Sequence, residues 1–198
     1  MTVIGVTGGM GGGKTTVCRA LEALGYAVYY ADVRAKRLMN EDPALRRAIT
    51  SAFGPQIYPA DGALDRARLA QIVFADRNAL QTLNALVHPA VKLDFERWLA
   101  QRPTQRSWVV KEAAIMFEAG TNVGCKAVVY VSAPEAVRIL RIAQRESLSE
   151  AEIRRRLDNQ WPDERKIPLA DYLIVNDGKN PILPQIYAMI RWIEHEIA

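Results

Sequence analysis

The sequence predicts an α/β fold in which a parallel sheet of about five strands lies between layers of helices. Two observations lead to this class. Short β-branched runs alternate with longer segments of helical periodicity along the 198 residues. A glycine-rich segment at residues 8–16, GGMGGGKTT, separates the first such run from the first helical segment. Strands that alternate with helices in this way form a parallel sheet with helices on both faces.

Five segments have the short, β-branched and aromatic character of buried strands. Each is followed, directly or after one residue, by glycines or by a polar residue that marks the end of a strand. The predicted strands lie at residues 2–7, 27–30, 108–111, 127–131 and 172–175.

The segments between the strands have the periodicity of helices. The first helix starts near Lys14 and ends at Gly25, and the last runs from about Ile182 to the end of the sequence. Residues 134–160 form a basic helical pair that splits near residues 147–149. Residues 33–101 are mostly helical, with breaks expected at Asp42-Pro43, Phe53-Gly54-Pro55, Ala60-Asp61-Gly62 and His88-Pro89.

The composition excludes few classes of binding partner. A net charge of +4 suits anionic small molecules as well as nucleic acid, but no basic patch with interleaved aromatic residues predicts nucleic-acid binding. Cys18 and Cys125 are too few for a disulfide framework and lack metal-ligand spacing. No signal peptide is recognisable, and no stretch approaches the roughly 20 apolar residues of a membrane span. We expect one cytoplasmic domain over residues 1–198, a monomer or small homo-oligomer, with no membrane or nucleic-acid partner.

The glycine-rich segment satisfies the P-loop pattern, Gly8-x-x-x-x-Gly13-Lys14-Thr15, between a predicted strand and a predicted helix. Glycines admit backbone conformations in which successive N–H groups point at phosphate oxygens, and the helix N-terminus adds its positive dipole end. Lys14 is expected on the β- and γ-phosphates, and the Thr15 hydroxyl on Mg²⁺. The pattern therefore predicts a P-loop NTPase fold that binds a nucleoside triphosphate.

Other sequence features distinguish among P-loop proteins. A Ras-type GTPase needs Asn-Lys-x-Asp after a strand, and the nearest string, Asn176-Asp177-Gly178-Lys179, has the wrong order. A motor or transport ATPase usually carries four apolar residues ending in Asp, which neither VVYVS nor WVVKE does. An acid after the second strand and arginine-rich helices late in the chain favour a small-molecule kinase, whose lid arginines close over the phosphates.

Asp32 is the acid in question, and it follows Val28-Tyr29-Tyr30-Ala31 at the carboxyl end of the second predicted strand. Ligands bind at the carboxyl ends of strands in open α/β sheets, so this carboxylate is a candidate base for an acceptor hydroxyl or a Mg²⁺ ligand. Its alternative role is the N-cap of a helix that starts at Val33.

Arg138, Arg141 and Arg145 share one helical face, and Arg154, Arg155 and Arg156 follow after a break. For any single arginine, a salt-bridged position on the protein surface is an equally good interpretation. As a set they are what a lid over residues 138–166 needs, because the guanidinium fork bridges phosphate oxygens during transfer.

With these pieces in place, the sequence resembles the dephospho-coenzyme A kinases over essentially its whole length. Several ordered segments carry the resemblance. They read GVTGGMGGGKTT, YYADVRAK, LNALVHP, EAAIMFEAG, RILRIAQRESLSEAEIRRRLDNQ and ADYLIVNDG.

The resemblance implies ATP-dependent phosphorylation of the 3′-hydroxyl of the ribose of dephospho-coenzyme A, with Mg²⁺. It assigns catalysis to Lys14, Asp32, Arg141 and Arg145, and nucleotide binding to Gly11, Gly12, Gly13, Lys14, Thr15, Thr16, Arg141, Asn176 and Gly178. Acceptor binding is assigned to Asp32, His88, Phe117, Glu118 and Arg145, with residues 33–105 as a helical acceptor-binding region.

The sequence departs from the family pattern at a few positions. Tyr30 replaces the first acid of an Asp-Ala-Asp triplet, Lys36 replaces a common arginine, and Ala114 replaces a proline. Gly12 stands where serine or alanine is usual, which we expect to be a mild change.

Two other functions fit the same parts. One is a nucleoside or nucleoside-monophosphate kinase with a shorter acceptor. The other is a regulator that binds ATP without turnover. This possibility is disfavoured by the intact set of catalytic residues, namely Lys14, Thr15, Asp32 and the lid arginines.

Overall fold

The computed structural model describes residues 1–59, 62–102, 106–146 and 148–197. Its centre is a five-stranded parallel sheet of β1 (Thr2–Thr7), β2 (Val28–Tyr30), β3 (Trp108–Glu112), β4 (Ala127–Ser132) and β5 (Tyr172–Val175), in the order β2-β3-β1-β4-β5. The central strand β1 pairs Val6 with Glu112 of β3 and Thr7 with Tyr130 of β4. The predicted α/β class and all five predicted strands are confirmed.

The helices connect these strands or follow them. They are α1 (Lys14–Ala23), α2 (Ala31–Glu41), α3 (Pro43–Phe53), α4 (Arg66–Ala75), α5 (Arg77–Ala100), α6 (Glu135–Arg145), α7 (Glu150–Leu157), α8 (Asp163–Lys166) and α9 (Ile182–Trp192). Short 3-10 turns follow at Pro55–Ile57 and Ile167–Leu169, and a π-helical turn at Ile193–Ile197 extends α9.

The chain divides into two compact units. The sheet unit comprises Met1–Tyr30 and Pro103–Ala198, and the helical unit comprises Ala31–Arg102. In the sheet unit, α1 and α9 pack on the strands through one apolar core that includes Val17, Leu21, Ile186 and Met189. The helical unit has its own core around Ile49, Ile57, Leu69 and Val87.

Two predicted helix breaks in the helical unit are confirmed by local chemistry. Asp42 ends α2 and caps α3, because its carboxylate accepts hydrogen bonds from the amides of Ala44 and Leu45. Gly54 ends α3 with a φ of 91°, before Pro55 starts the next turn. The break expected at residues 60–62 and the split at residues 147–149 involve positions 60, 61 and 147, which lie outside the described residues.

The break predicted at His88-Pro89 is wrong, because α5 continues through both residues to Ala100. A proline inside a helix removes one backbone hydrogen bond and costs about 3 kcal/mol, so something must offset it. The offset lies in packing: α5 lies against α2, α3 and α4, and Val87, Leu86 and Ala90 contribute to the core of the helical unit. Tertiary contacts therefore override the local signal of the proline.

None of the described helices has the length and apolar character that a transmembrane segment requires.

Candidate active site

The P-loop lies between β1 and α1, at the carboxyl end of the central strand. Its last glycine, Gly13, precedes α1 in a left-handed conformation with φ 96° and ψ 21°. A Cβ on Gly13 would lie 1.9 Å from Nδ2 of Asn176, so the position tolerates no side chain as it stands. A Cβ on Gly12 would lie 2.9 Å from the carbonyl oxygen of Val131. In this conformation, the Cβ of a serine or alanine at position 12 would require a shift of the loop or of the Val131 carbonyl.

The side chain of Lys14 folds back over the loop. Its Nζ donates hydrogen bonds to the carbonyl oxygens of Gly8, at 3.0 Å, and Gly9, at 3.3 Å, and the residue is buried. Thr15 and Thr16, in the first turn of the same helix, are exposed. No acidic residue occupies that turn, so the positive end of the helix dipole is not neutralised there.

Asn176 and Arg141 are brought to this loop from two distant parts of the chain. Asn176 follows β5, and its Nδ2 donates a hydrogen bond to the carbonyl oxygen of Gly12 at 3.0 Å. Arg141 of α6 donates to the backbone oxygen and to Oδ1 of Asn176, at 3.0 and 3.2 Å. Its guanidinium also lies 3.5 Å from the carbonyl oxygen of Gly11. Three sequence-predicted regions thus meet at one end of the sheet.

The turn after Asn176 is built around Asp177. Its carboxylate accepts hydrogen bonds from the amides of Lys179 and Asn180, and these bonds lower the pKa of Asp177. Gly178 has a φ of 81°, and a Cβ added to it would meet no heavy atom within 4 Å. Backbone conformation rather than crowding therefore selects glycine there.

Arg145, one turn beyond Arg141, lies on the exposed surface of the sheet unit. Its guanidinium is 2.5 Å from Oε1 of Glu146, whose other oxygen contacts Arg156 at 2.9 Å. The hydrogen bond from Arg145 is the main reason that the pKa of Glu146 is lowered. Within the described parts of the chain, no hydrogen bond or ion pair joins Arg145 to the P-loop.

Arg138 contacts the P-loop more closely than the sequence indicated. The residue is buried, and its Nε donates a hydrogen bond to the carbonyl oxygen of Met10 at 3.0 Å. The amide of Met10 donates in turn to Oε1 of Gln160 at 3.0 Å. The side chains of Arg138 and Gln160 therefore hydrogen-bond to the carbonyl oxygen and the amide of Met10, respectively. The only sequence signal was the position of Arg138 on the face of Arg141.

Asp32 and His88 belong to the helical unit. Asp32 is the second residue of α2 and lies in its first turn, two residues after the end of β2 along the chain. The alternative N-cap role is wrong, because the helix already includes Ala31. His88 is partly buried in the middle of α5. The roles expected for both residues stay predictions.

Phe117 and Glu118 lie in the run of turns that follows β3 in the sheet unit. Phe117 is buried. Oε1 of Glu118 accepts a hydrogen bond from the amide of Trp161 at 3.2 Å and lies 3.6 Å from Nζ of Lys166. Their acceptor-binding roles also stay predictions.

Glu112 is a candidate site residue that the sequence did not reveal. It ends β3, is buried, and pairs in register with Val6 of β1, one residue before Thr7 and the P-loop. The predicted strand ended at Lys111, one residue too early, so its carboxyl end was not predicted to include the Glu112 carboxylate. No cluster of three or more His, Cys, Asp or Glu suited to a metal occurs among residues 1–59, 62–102, 106–146 and 148–197. A magnesium site here would need phosphate and water ligands besides protein oxygens.

The two cysteines are unpaired and are not candidate nucleophiles. Burial, followed by the nearby charge of Glu112, raises the pKa of the Cys18 thiol, and burial raises the pKa of Cys125. Neither thiol is therefore disposed to form a thiolate.

Comparisons with known proteins agree with one another. A family model described as dephospho-CoA kinase matches residues 2–181. The dephospho-CoA kinase of Salinibacter ruber is 41% identical over 193 residues, which cover 97% of this chain and 97% of that protein. The crystal structure of TT1252 from Thermus thermophilus matches with a TM-score of 0.83 and 30% identity, over 100% of this chain and 98% of that one. The dephospho-CoA kinase from Campylobacter jejuni matches with a TM-score of 0.68 and 26% identity, over 96% of each chain.

The matches extend well beyond the P-loop, which many kinases share, and they include the segments that carry Asp32, His88, Arg141 and Asn176. The family resemblance seen in the sequence is therefore confirmed, and the chain belongs to the dephospho-CoA kinase family.

Proposed function

We propose that this chain transfers the γ-phosphoryl group of ATP to the 3′-hydroxyl of the ribose of dephospho-coenzyme A, giving coenzyme A and ADP. The match of nearly the whole chain to dephospho-CoA kinases carries this proposal, because the P-loop geometry alone suits any P-loop kinase. The same match disfavours a nucleoside kinase and a non-catalytic regulator.

The donor half of the reaction uses the loop and the residues around it. Amides of Gly11, Gly12 and Gly13 and the N-terminus of α1 bind the phosphates, and the Gly12 amide exchanges its bond to the Gly9 carbonyl oxygen for a phosphate oxygen. Lys14 exchanges its carbonyl partners in the loop for phosphate oxygens, which its flexible stem allows. Thr16 adds a hydroxyl beside them, and Arg141, Asn176 and Gly178 bind the nucleotide at the end of β5.

The metal would be held mainly by the Thr15 hydroxyl. That hydroxyl is exposed in the first turn of α1, and the buried carboxylate of Glu112 ends the adjacent strand, so oxygen donors of the kind that Mg²⁺ prefers are present. Bound Mg²⁺ would neutralise charge on the triphosphate during transfer.

The acceptor half rests on Asp32, which would orient the ribose hydroxyl and take its proton. We assign residues 33–105 to acceptor binding, with His88 in that region, and we place Phe117 and Arg145 on the acceptor side. Residues 138–166 would form the lid, with the guanidinium of Arg145 closing on the transferring group. The exposure of Arg145 leaves it available for such a movement.

The partners proposed are small molecules, ATP and dephospho-coenzyme A, for a protein that is a monomer or a small homo-oligomer. We also propose a cytoplasmic location, in keeping with two unpaired thiols and a reaction that consumes ATP.

The proposal can be tested by incubating the protein with ATP and Mg²⁺ and a panel of acceptors: dephospho-coenzyme A, adenosine, AMP and shikimate. We expect product with dephospho-coenzyme A only. Asp32→Asn should lower kcat by roughly 10²- to 10⁴-fold, as expected for loss of a general base, while the Kd of ATP stays near that of the wild type.

Phosphorylation of AMP or adenosine in preference to dephospho-coenzyme A would contradict the acceptor assignment. Unchanged kcat in Asp32→Asn would contradict the base assignment alone.

A further inference from the structure

Four charged side chains of alternating sign, all buried or nearly buried in the sheet unit, form a set that ends in contact with the P-loop. They run from Glu118 through Lys166 and Asp163 to Arg138, with side-chain exposures of 12%, 1%, 18% and 10%. Lys166 and Asp163 belong to α8, Arg138 to α6, and Glu118 to the turns after β3. Nothing in the donor or acceptor chemistry described so far uses Lys166 or Asp163.

Asp163 is the junction of this set. Its Oδ1 accepts hydrogen bonds from the hydroxyl of Tyr130, at 2.8 Å, and from the guanidinium of Arg138, at 3.0 Å. The same oxygen lies 3.9 Å from Nζ of Lys166. One carboxylate oxygen thus faces a buried guanidinium, a buried ammonium and a buried phenol.

Lys166 is held by charge rather than by hydrogen bonds. Its Nζ has no hydrogen-bond partner among the described residues, and the nearest oxygens are those of Glu118 at 3.6 Å and Asp163 at 3.9 Å. Burial lowers the pKa of Lys166, whereas the charges of Glu118 and Asp163 act in the opposite direction. Removal of either carboxylate would leave a buried ammonium poorly compensated, which is costly.

The far end of the set contacts the P-loop directly. Nε of Arg138 donates to the carbonyl oxygen of Met10, and a Cβ on Gly9 would lie 2.6 Å from the guanidinium carbon. The Met10 side chain packs among Ile142, Ile153 and Leu157 of α6 and α7. The position of Arg138 therefore fixes the shape of the loop at residues 9–10.

We propose that Lys166 and Glu118 are positioning residues for ATP binding, which hold Asp163 and Arg138, and through them the Met10 peptide, in the conformation that receives the triphosphate. The inference rests on the proposed kinase function. It assigns Glu118 a role that acts through Lys166, in place of the acceptor contact that the family resemblance implies.

The test compares Glu118→Gln, Lys166→Met and the double variant, with the exposed Glu164→Gln and Lys126→Met as matched controls. The Kd of ATP is measured by titration calorimetry without acceptor, and the KM of dephospho-coenzyme A at saturating ATP. Each single variant should weaken ATP binding about tenfold, because one buried charge loses its partner. The double variant should return to within about threefold of the wild type, because no unpaired charge remains. The acceptor KM should change less than about twofold throughout, in keeping with an effect on ATP binding alone.

Additive losses in the double variant would overturn the proposal, because additivity would mean that Glu118 and Lys166 do not act through each other. So would a raised acceptor KM with unchanged ATP affinity in Glu118→Gln, which would place Glu118 on the acceptor. If the single variants do not fold, Tyr130→Phe provides a second test, because it removes only one hydrogen-bond donor to Asp163. This variant should weaken ATP binding about threefold. Unchanged ATP affinity in Tyr130→Phe would overturn the proposal. Because ATP binding is measured without acceptor, a failure of dephospho-coenzyme A as substrate would be seen separately.

Discussion

Gly13 shows at the scale of one residue how much the P-loop depends on a missing Cβ. Its φ of 96° disfavours any side chain, and the nearest atom to an added Cβ would be Nδ2 of Asn176 at 1.9 Å. Gly124 has nearly the same φ, 93°, but nothing lies within 4 Å of its added Cβ. Substitutions at Gly13 and Gly124 therefore separate the cost of left-handed backbone strain from the effect of a close contact.

We predict that Gly13→Ala and Gly124→Ala each lower stability by about 1–2 kcal/mol of left-handed strain, with a further loss in Gly13→Ala from the displaced hydrogen bond of Asn176 to Gly12. Only Gly13→Ala should weaken ATP binding, by at least about tenfold, because the new methyl displaces Asn176 from Gly12. Thermal unfolding and ATP titration of both variants measure the two effects. Equal ATP affinities in the two variants would contradict the role given to Asn176.

The three arginines of α6 show what spacing alone cannot determine. The sequence predicted that Arg138, Arg141 and Arg145 share one helical face, yet Arg138 is buried against Met10 and Arg141 binds Asn176. Arg145 pairs with Glu146 at the surface. Spacing predicts which side chains share a face of the helix. The partner that each side chain meets depends on which strand end or loop packs against that turn of the helix. Lys166 was not predicted as a site residue for the same reason. Of its two neighbouring carboxylates, Glu118 lies in a segment distant in sequence and Asp163 lies one turn earlier in α8.

At the scale of elements, α7 begins with a capping box. The Ser149 hydroxyl accepts from the amide of Glu152, and the carboxylate of Glu152 accepts from the amide of Ser149 at 2.8 Å. The Ser149 hydroxyl, which also donates to Oε2 of Glu152 at 2.6 Å, and the Ser149 amide together lower the pKa of Glu152 below its ordinary 4.5. Because the folded pKa is depressed, this contribution to stability is present above pH 4.5 and is lost as the pH falls through the folded value.

We predict that Ser149→Ala destabilises the start of α7 by about 1 kcal/mol, which corresponds to roughly fivefold faster amide exchange in residues 150–157. The difference from the wild type should shrink as the pH falls below 4.5, since protonated Glu152 no longer contributes fully. Hydrogen exchange followed by mass spectrometry measures both, with Ser51→Ala of α3 as the control. A difference that stays constant with pH would contradict the capping role of Glu152.

Strand and helix types were predictable along most of the chain, because β-branched runs and P-loop chemistry are local signals. The exception, α5, is instructive. Pro89 is a strong local signal for a break, but a 24-residue helix that contacts three others gains more from packing than it loses at one proline. Such a gain depends on partners distant in sequence and is invisible in a local pattern.

At the scale of the whole molecule, the two units divide the proposed work. The P-loop, Arg141 and Asn176 lie in the sheet unit, whereas Asp32 and His88 lie in the helical unit, which has a core of its own. The sequence predicted a helical region at 33–105, a span that includes residues 60–61 and 103–105 outside the described ones. Its role in acceptor binding stays a prediction that separate perturbation of the two cores can test.

Ile49 is fully buried in the core of the helical unit, and Ile174 is fully buried in that of the sheet unit. We predict that Ile49→Ala destabilises the helical unit by about 2–5 kcal/mol, so that its binding-competent fraction falls at a lower temperature than in the wild type. The KM of dephospho-coenzyme A should therefore begin to rise at a lower temperature, in proportion to the competent fraction lost. The Kd of ATP, titrated without acceptor at the same temperatures, should stay within about twofold of the wild type, because the donor site lies in the other unit.

Ile174→Ala is the matched substitution, and it should weaken ATP binding at temperatures where the acceptor KM of Ile49→Ala has already changed. The cavity left at Ile174 lies in β5, directly before Val175 and Asn176, so loss of order there reaches the residue that binds Gly12. Parallel loss of ATP affinity in both variants would show that the units do not act separately in substrate binding. An acceptor KM that follows only the Ile174 substitution would move acceptor binding out of residues 33–105 and into the sheet unit.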